Sequence, residues 1–245
     1  MTRMADPGPE EQALWRWIAD VLRREIAGGH PAPGGRLPAE TALAARFCVN
    51  RHTVRRAAEW LAREGLVRIE QGRGTFVADE VLDYVVGPRT RFTEWIERHK
   101  QQPAGRVLQL REMEAAPAVA AALRLRRGAP VVLLERLGSA DGRPVSLGRH
   151  HFPAGRLPGI AAALRETDTI TEALRRVGVP DYLRRVTRVS ARMPSAAEAR
   201  LLRMPHSRPV LEGESVNADL DGRLIEYGLA LYPTPRVQIV FEPGV

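Results

Sequence analysis

The sequence predicts an α+β protein with two domains, and two observations support this prediction. Residues 36–77 contain two short stretches with the apolar spacing of helices, followed by a hairpin with glycine in its turn. From residue 106 onward a strand-helix-hairpin pattern occurs twice, and Asp141-Gly142-Arg143 of the first copy recurs as Asp221-Gly222-Arg223. We therefore expect a small helical domain, followed by an antiparallel sheet with helices on one side.

Length and composition fit such a protein. The chain has 245 residues, of which 44% are hydrophobic and 27% charged, which is enough for two cores. Its net charge is +8, and because Lys100 is the only lysine, the positive charge is carried by arginine. This balance favours polyanionic or anionic partners, although genome base composition explains abundant arginine equally well.

Cysteine usage and hydropathy exclude two classes of protein. Cys48 is the only cysteine, so no intrachain disulfide forms and a secreted disulfide scaffold is excluded. The sequence has no apolar run of about 18 residues. Its N-terminus has acidic residues and prolines where a signal peptide has an apolar core. We expect a cytoplasmic protein without a membrane partner.

The first domain is expected at residues 11–78 and begins with two helices. Gly28-Gly29 ends the first helix, whose apolar face is formed by Trp15, Ile18, Ala19, Leu22 and Ile26. The second helix is expected to begin after Leu37, with Pro38 in its first turn and Glu40 near its positive end. Its apolar face is formed by Leu43, Ala44 and Phe47.

A third helix has one apolar face and one basic face. Asn50 is expected to cap it, and its apolar face is formed by Val54, Ala57, Ala58 and Leu61. The opposite face of its first two turns is formed by Arg51, His52, Thr53, Arg55 and Arg56. In helix-turn-helix proteins this end of the second helix reaches base edges in the major groove. A hairpin follows, with strands at 66–70 and 75–77 and Arg73 at its tip.

Together these features predict a winged helix-turn-helix that binds duplex DNA. A solvated helix face is the alternative, and it is favoured for an arginine-rich helix considered alone. Between residues 46 and 73 there are seven arginines and three glutamates, so the positive charge is concentrated where contact with DNA is expected.

This stretch resembles the DNA-binding domain of the GntR family of bacterial repressors. The matching motifs are Leu37-Pro38-Ala39-Glu40, Val49-Asn50-Arg51-His52-Thr53-Val54-Arg55, Glu64-Gly65-Leu66 and Gly72-Arg73-Gly74-Thr75-Phe76-Val77. The resemblance implies DNA contacts by Asn50, Arg51, His52, Thr53, Arg55, Gln71 and Gly72. This chain departs from the family at Thr41, where many members have an arginine that contacts a groove.

Residues 79–90 are predicted to link this domain to a second one at residues 91–245, although Tyr84-Val85-Val86 has strand character and fits either part. Thr90 or Thr93 is expected to cap a helix whose free amides form an anion site, and an ordinary capped helix is the alternative. The other expected helices are 117–123, 157–164, 169–177 with Asp168 as cap, and 195–202 with a capping box of Ser195 and Glu198. The expected strands are 106–112, 131–138, 144–152, 182–193, 210–217, 224–232 and 237–241.

The sequence carries no signature of catalysis. It has no Gly-x-Ser-x-Gly elbow, no phosphate-binding Gly-x-x-x-x-Gly-Lys loop and no His-Glu-x-x-His motif. His150 and His151 are adjacent on a predicted strand, so they point to opposite faces and cannot chelate one metal. We expect no catalytic residues, no cofactor and no metal.

Arg136 lies in the apolar run 131–137, where burial of its guanidinium costs several kcal/mol unless an anion pairs with it. A salt bridge to Glu135, Glu226 or another inner acid and a bound ligand are equally good explanations. On the strand after Asp181, the residues expected to share one face are Tyr182, Arg184, Val186, Arg188, Ser190 and Arg192.

The duplicated unit behind a GntR-like domain resembles the UTRA effector domain of the HutC subfamily, a fold shared with chorismate lyase. The segments that carry the likeness are Asp83-Tyr84, Thr90-Arg91-Phe92, His150-His151-Phe152, Arg188-Val189-Ser190-Ala191-Arg192 and Glu226-Tyr227-Gly228. It implies a phosphonate- or phosphate-related anionic effector that contacts Thr90, Arg91, Phe92, Thr93 and Arg136. Secondary candidates are His150, Arg188, Glu226 and Tyr232.

The expected function is that of a homodimeric transcription factor, a repressor on a palindromic operator, in which the effector changes the relative placement of two winged helices. One alternative is the same architecture sensing a sugar phosphate, another carboxylate metabolite or a metal. The other is an enzyme of the chorismate-lyase type joined to a DNA-binding domain, since similar folds need not share a function.

Overall fold

The protein consists of two compact units that divide between Glu80 and Val81. A computed structural model describes residues 9–78 and 81–242, with side chains from residue 14 onward. In this part of the chain, no helix is long and apolar enough to cross a membrane.

Within residues 9–78, the first unit contains three helices and a two-stranded antiparallel hairpin. Its core joins Ile18 and Leu22 of the first helix to Leu43 of the second and to Val54 and Leu61 of the third. The predicted apolar faces of all three helices are therefore confirmed. The elements are α1 (Pro9–Ala27), α2 (Glu40–Phe47), α3 (Arg51–Arg63), β1 (Val67–Glu70) and β2 (Gly74–Val77).

The helix ends of this unit agree with the sequence in one case and differ in two. Asn50 caps α3 as predicted, because its side-chain oxygen accepts a hydrogen bond of 2.9 Å from the Thr53 N–H. In contrast, α2 begins at Glu40 after an extended Ala39, with ψ of 149°, so Pro38 lies before the helix and outside its first turn. α1 begins at Pro9, earlier than the predicted domain boundary at residue 11.

The second unit is built on a six-stranded antiparallel sheet with strand order β4-β5-β6-β9-β8-β7. The two sequence copies meet where β6 pairs with β9, which gives the predicted pseudo-symmetric sheet. The elements are β3 (Leu82–Val85), α4 (Phe92–Arg98), β4 (Pro103–Glu114), α5 (Pro117–Leu123), β5 (Pro130–Ala140), β6 (Arg143–Pro153), α6 (Ile160–Glu166), α7 (Ile170–Arg176), β7 (Tyr182–Arg192), α8 (Ala196–Leu201), β8 (Val210–Asp219), β9 (Leu224–Pro233) and β10 (Val237–Val240).

Most of the predicted linker belongs to the second unit. Strand β3 pairs in parallel with β10, so that Leu82 lies opposite Val237. Leu82 and Tyr84 are buried in a cluster that includes Trp95 of α4. The strand character of Tyr84-Val85-Val86 therefore outweighs the linker prediction, while residues 79–80 lie outside the described part of the chain.

Helices cover both faces of the six-stranded sheet, so the prediction of helices on one side was wrong. Side chains of β5 alternate between the two faces: Val132 and Leu134 pack in the cluster that contains α6 and α7. Val131 packs with α5, and Leu137 packs with α8. A strand with consecutive apolar residues is buried on both faces, and each face then needs a covering layer.

Turns and caps of this unit show where local sequence signals were right. Asp141 and Gly142 form the predicted two-residue turn, with φ of 48° and 72°. In the second copy the strands end at Asp219 and resume at Leu224, so the turn is a longer loop. The capping box of Ser195 and Glu198 is present.

Two other predicted caps were wrong. Thr169 caps α7 instead of Asp168, because its hydroxyl accepts a hydrogen bond from the Glu172 N–H. Arg91 is the N-cap residue of α4, without a side-chain cap. The Thr90 hydroxyl does not cap α4 because it accepts a hydrogen bond of 2.7 Å from the Gly87 N–H.

Candidate functional site

The front of α3 is exposed, and its arginines contact the first turn of α2. Arg55 donates two hydrogen bonds to the Glu40 carboxylate, at 2.9 and 3.2 Å, and Arg51 approaches the same carboxylate at 3.5 Å. The hydrogen bond from Arg55 is the main reason why the pKa of Glu40 is lowered. The shared carboxylate holds both guanidinium groups at one edge of the α3 front.

Two residues of the predicted basic face do not point away from the protein. Thr53 is buried, and its hydroxyl lies 3.0 Å from the Asn50 side-chain oxygen. Arg56 is half-buried and lies 5.0 Å above the Trp15 ring. Thr53 is one helical turn from the buried Ala57, which explains its inward direction. Thr53 and Arg56 are therefore the least accessible side chains of the predicted DNA-contact set.

The tip of the β1–β2 hairpin, or wing, is exposed and depends on glycine. Gly72 and Gly74 have φ of 74° and 112°, which disfavour other residues. Arg73 lies between them, and its guanidinium contacts Glu70 at 2.5 Å. The predicted DNA contacts that are exposed are Asn50, Arg51, His52, Arg55, Gln71, Gly72 and Arg73.

A cavity of about 120 Å³ lies in the second unit on one face of the six-stranded sheet. Its floor contains one glycine from each of four inner strands: Gly138, Gly148, Gly213 and Gly228. A Cβ atom at Gly138 would lie 2.6 Å from the Phe92 ring, and one at Gly148 would lie 2.4 Å from His150 Nε2. Glycine in the middle of a strand marks close approach of another group, and this signal was missed in the sequence.

Most of the residues predicted to contact an effector line this cavity. They are Thr90, Arg91, Phe92, Thr93, Arg136, His150, Glu226 and Tyr232. Arg188 is the exception, because its guanidinium lies in an exposed ion pair with Glu214 at 2.7 Å.

A β-bulge between Arg184 and Val186 explains the position of Arg188. The extra residue reverses the alternation of β7 beyond Arg184. Thr187 and Val189 therefore line the cavity. The prediction that Val186, Arg188, Ser190 and Arg192 share one strand face with Tyr182 and Arg184 was wrong. Arg184, Thr187 and Val189 were not among the predicted site residues.

The arginines of the cavity differ in their partners. Arg91 is buried and donates to the Asp181 carboxylate and to the Tyr182 carbonyl, both at 2.8 Å. Arg136 donates to the backbone carbonyl of Asp168 at 2.6 Å, and within the described residues it forms no ion pair with a carboxylate. Burial lowers the pKa of Arg136, and the charge of Asp168 opposes this effect.

The acids considered as partners of Arg136 are engaged elsewhere. Glu135 accepts a hydrogen bond from Arg149 at 2.9 Å. Glu226 is buried and accepts from His150 at 2.6 Å and from Asn217 at 2.7 Å. Burial raises the pKa of Glu226, but these hydrogen bonds and the positive charge nearby lower it further than burial raises it. Neither acid provides the salt bridge to Arg136 that the sequence allowed.

His150 and His151 point to opposite faces of the sheet, as strand alternation predicted. His150 lines the cavity, whereas the ring of His151 lies 5.9 Å from the ring of Tyr227 in another part of the core. In residues 9–78 and 81–242, no three His, Cys, Asp or Glu side chains are placed to hold a metal ion together.

A winged helix-turn-helix unit joined to a sheet unit with a cavity lined by arginines fits a ligand-responsive transcriptional regulator. Comparison with known families agrees with it. The family described as "Bacterial regulatory proteins, gntR family" matches residues 15–77, and the "UTRA domain" matches residues 98–238. The chain belongs to the GntR family, in its HutC-type branch with a UTRA domain. Such regulators bind DNA and, through the UTRA domain, a small-molecule effector.

Relatives of the whole chain carry the same class of name. The chain is 31% identical to the probable transcriptional regulator PhnF of Escherichia coli, over 92% of this chain and 93% of that protein. It is 28% identical to the mannosyl-D-glycerate transport/metabolism system repressor MngR of Escherichia coli, over 90% and 92%. The crystal structure of PhnF from Mycobacterium smegmatis matches with a TM-score of 0.61 and 29% identity, over 92% of this chain and 98% of that one. The chain is a transcriptional regulator of the GntR type with a UTRA domain.

Proposed function

We propose that this regulator is a repressor whose operator binding is controlled by a small anionic effector, related to phosphonate or phosphate. The observation that carries the proposal is Arg136, a cavity guanidinium with a backbone carbonyl but no carboxylate as partner in the described chain. The Arg136 side chain is half-buried, and burial lowers its pKa, so an anion that joins it would stabilise its charged form. The likeness to PhnF supports a phosphonate-related anion.

Thr90, Phe92 and Thr93 complete the proposed site around Arg136, and His150, Glu226 and Tyr232 line the rest of it. We assign Arg91 a supporting role, because Asp181 already neutralises its charge.

The proposed DNA contacts are the exposed front of α3 and the wing. In this proposal Arg51, His52 and Arg55, which are exposed, contact base edges or phosphates in the major groove, with Asn50 at the helix start. Gln71, Gly72 and Arg73 contact the adjacent backbone or groove. We propose that two copies of the chain bind a palindromic operator, since a symmetric dimer presents two such helices to two half-sites.

An electrophoretic shift assay tests this proposal with DNA from upstream of the regulator's own gene. We expect a saturable complex that unlabelled specific DNA competes away and unrelated DNA does not. Methylphosphonate or inorganic phosphate should change its apparent Kd, and an operator cut to one half-site should bind much more weakly. If no sequence-selective complex forms, the proposal is wrong.

A second candidate effector is a carboxylate attached to a sugar, which the likeness to MngR supports. A carboxylate satisfies the same guanidinium as a phosphonate does. Calorimetric titration with mannosyl-D-glycerate, methylphosphonate and glucosamine 6-phosphate compares a sugar carboxylate, a phosphonate and a sugar phosphate. The ligand class with the lowest Kd is the best match to the effector.

A further inference from the structure

A groove of about 630 Å³ lies in the second unit between α8 and β4, which is an edge strand of the six-stranded sheet. Its base includes Leu137 and Ser139 of β5, whereas Gly138 lines the cavity described above. Neighbouring residues of a strand point to opposite faces, so the groove and the cavity lie on opposite faces of the sheet. We call this second site the α8 groove. Its volume is typical of small-molecule sites.

Three arginines from two parts of the fold line the α8 groove. Arg106 lies on β4, Arg200 lies in the last turn of α8, and Arg203 follows the end of that helix. All three are exposed. No aspartate or glutamate is among the lining residues, and none of the three arginines has a salt bridge to any residue that the structure describes. The α8 groove is therefore a concave site with positive charge on two sides.

The backbone holds these arginines in place. Arg106 lies opposite Leu137 in the β4–β5 pairing, and Leu137 packs against α8. Arg203 adopts φ of 48° where the helix ends, and the next N–H, that of Met204, donates to the Ala199 carbonyl at 3.0 Å. A ligand that contacts side chains on such fixed elements orders little of the backbone when it binds.

A structural explanation covers only part of this arrangement. Basic side chains near the C-terminus of a helix interact favourably with its dipole, which accounts for Arg200 and Arg203. Arg106 belongs to a different element and has no such role. A cleft lined by charges of one sign attracts ions of the opposite sign, so the three arginines together favour an anionic ligand.

The arginines also indicate the class of anion. A guanidinium group forms two parallel hydrogen bonds to the oxygens of a phosphate group. Linked phosphate groups can present oxygens to both sides of the groove, whereas one phosphate group presents only a single compact set. No aromatic side chain is among the lining residues of the described chain, so stacking of a nucleobase is not expected.

We propose that the α8 groove binds an oligophosphate, which is a ligand with two or more linked phosphate groups. This site is distinct from the cavity and from the front of α3. Its ligand would act on the regulator in addition to the effector of the proposed function.

Calorimetric titration of the full chain, without divalent cations, tests the proposal with inorganic triphosphate, inorganic phosphate and ATP. We expect triphosphate to bind at least about tenfold more tightly than phosphate, and ATP to bind about as tightly as triphosphate. Arg106→Ala and Arg200→Ala should each weaken triphosphate binding about fivefold to tenfold.

Two control variants remove the same charge elsewhere. Arg126→Ala removes an exposed arginine before the other end of β5, and Arg55→Ala removes one from the front of α3. Both should leave the Kd of triphosphate unchanged. If either weakens triphosphate binding as much as Arg106→Ala does, the attraction is a property of the whole positive chain and the proposal is wrong.

The remaining outcomes separate oligophosphate from other ligands and from the effector. Equal binding of phosphate and triphosphate would contradict the proposal, as would a hexaglutamate peptide that binds as tightly as triphosphate. Arg136→Ala should not change the Kd of triphosphate, and a loss in that variant would place the ligand in the cavity instead. The comparison of ligands on the unmodified chain decides the question even if a variant folds poorly. None of these results changes the test of operator binding, so the proposed function stands or fails separately.

Discussion

The two units place their functional arginines in opposite environments. In the first unit Arg51, Arg55 and Arg73 are exposed, and each contacts a carboxylate at the surface. In the second unit Arg136 and Arg184 line a cavity and contact neutral oxygen atoms. Surface ion pairs contribute little to stability. Arg51, Arg55 and Arg73 can therefore leave their carboxylate partners for DNA phosphates at a small cost in free energy. A guanidinium in a cavity depends much more on its next partner.

This difference indicates how each unit recognises its ligand. In the proposed function, the exposed arginines contact a long polyanion that remains in solvent, and salt weakens such contacts. The arginines of the cavity contact a small ligand that displaces part of the water, so one charged hydrogen bond has a greater effect there. Single substitutions should therefore have larger effects in the cavity than on the front of α3.

The largest effect is expected for Arg136→Ala. The substitution should weaken binding of the anionic effector by about 2–5 kcal/mol. It should leave operator binding in the absence of effector unchanged. Arg188→Ala is the matched control, because this arginine lies on the same sheet but does not line the cavity, and its side chain is exposed. Calorimetry and shift assays measure both quantities. If Arg188→Ala weakens effector binding and Arg136→Ala does not, the register of β7 is wrong.

On the α3 front, Arg51→Ala or Arg55→Ala should each weaken operator binding by about 1–3 kcal/mol if the residue reads a base. Arg63→Ala, at the far end of the same helix, should have little effect. Fluorescence anisotropy at several salt concentrations measures the operator Kd of each variant. An arginine that contacts only phosphate should instead reduce the slope of log Kd against log salt. Equal losses for Arg55 and Arg63 would contradict a specific role for the helix start.

The two units also differ in how much the sequence predicted. The cap at Asn50, the apolar faces and the glycine wing of the first unit depend on neighbours a few residues apart, and all are present. Thr53 and Arg56 were misplaced because they lie at the border between the buried and exposed sides of α3. A periodic pattern assigns such border positions poorly.

In the second unit the missed features depend on distant parts of the chain. The bulge that turns Arg188 away from the cavity is a property of the β7–β8 pairing, and no residue type marks it. Likewise, β3 becomes a strand through β10, which is more than 150 residues later. Arg136 was predicted because a charge in an apolar run is visible without any knowledge of the partner strand.

The cavity floor should be less tolerant of added atoms than exposed turns are. Gly138→Ala should destabilise the protein by about 1–3 kcal/mol, because the new Cβ would lie 2.4 Å from the Ser146 hydroxyl. The Gly138→Ala variant should also bind the effector more weakly. Gly155→Ala is the matched control, since no atom lies within 4 Å of its Cβ position. Chemical denaturation measures the free energy of unfolding. Similar losses for the two variants would mean that the floor of the cavity can move.

The smallest expected effect is on the free energy of unfolding at acid pH. Two glutamates are compared, Glu198 and Glu40, and each lies near a helix start and pairs with arginine. Glu198 accepts two hydrogen bonds of 2.9 Å from Arg192, which with the Ser195 N–H lower its pKa to about 2. A depressed pKa stabilises the fold above the unfolded value of 4.5, and this contribution is lost as the pH falls towards 2.

Glu198→Gln should therefore cost about 1 kcal/mol at neutral pH. The difference from wild type should disappear between pH 4.5 and about 2. Glu40→Gln should change the stability by less than about 0.5 kcal/mol at any pH, because its arginine partners are largely exposed. Thermal unfolding of both variants across this pH range measures the contrast. An equal, pH-dependent loss for Glu40→Gln would show that the arginines of α3 are held as firmly as those of the second unit, and the proposed exchange of carboxylate for phosphate would then be costly.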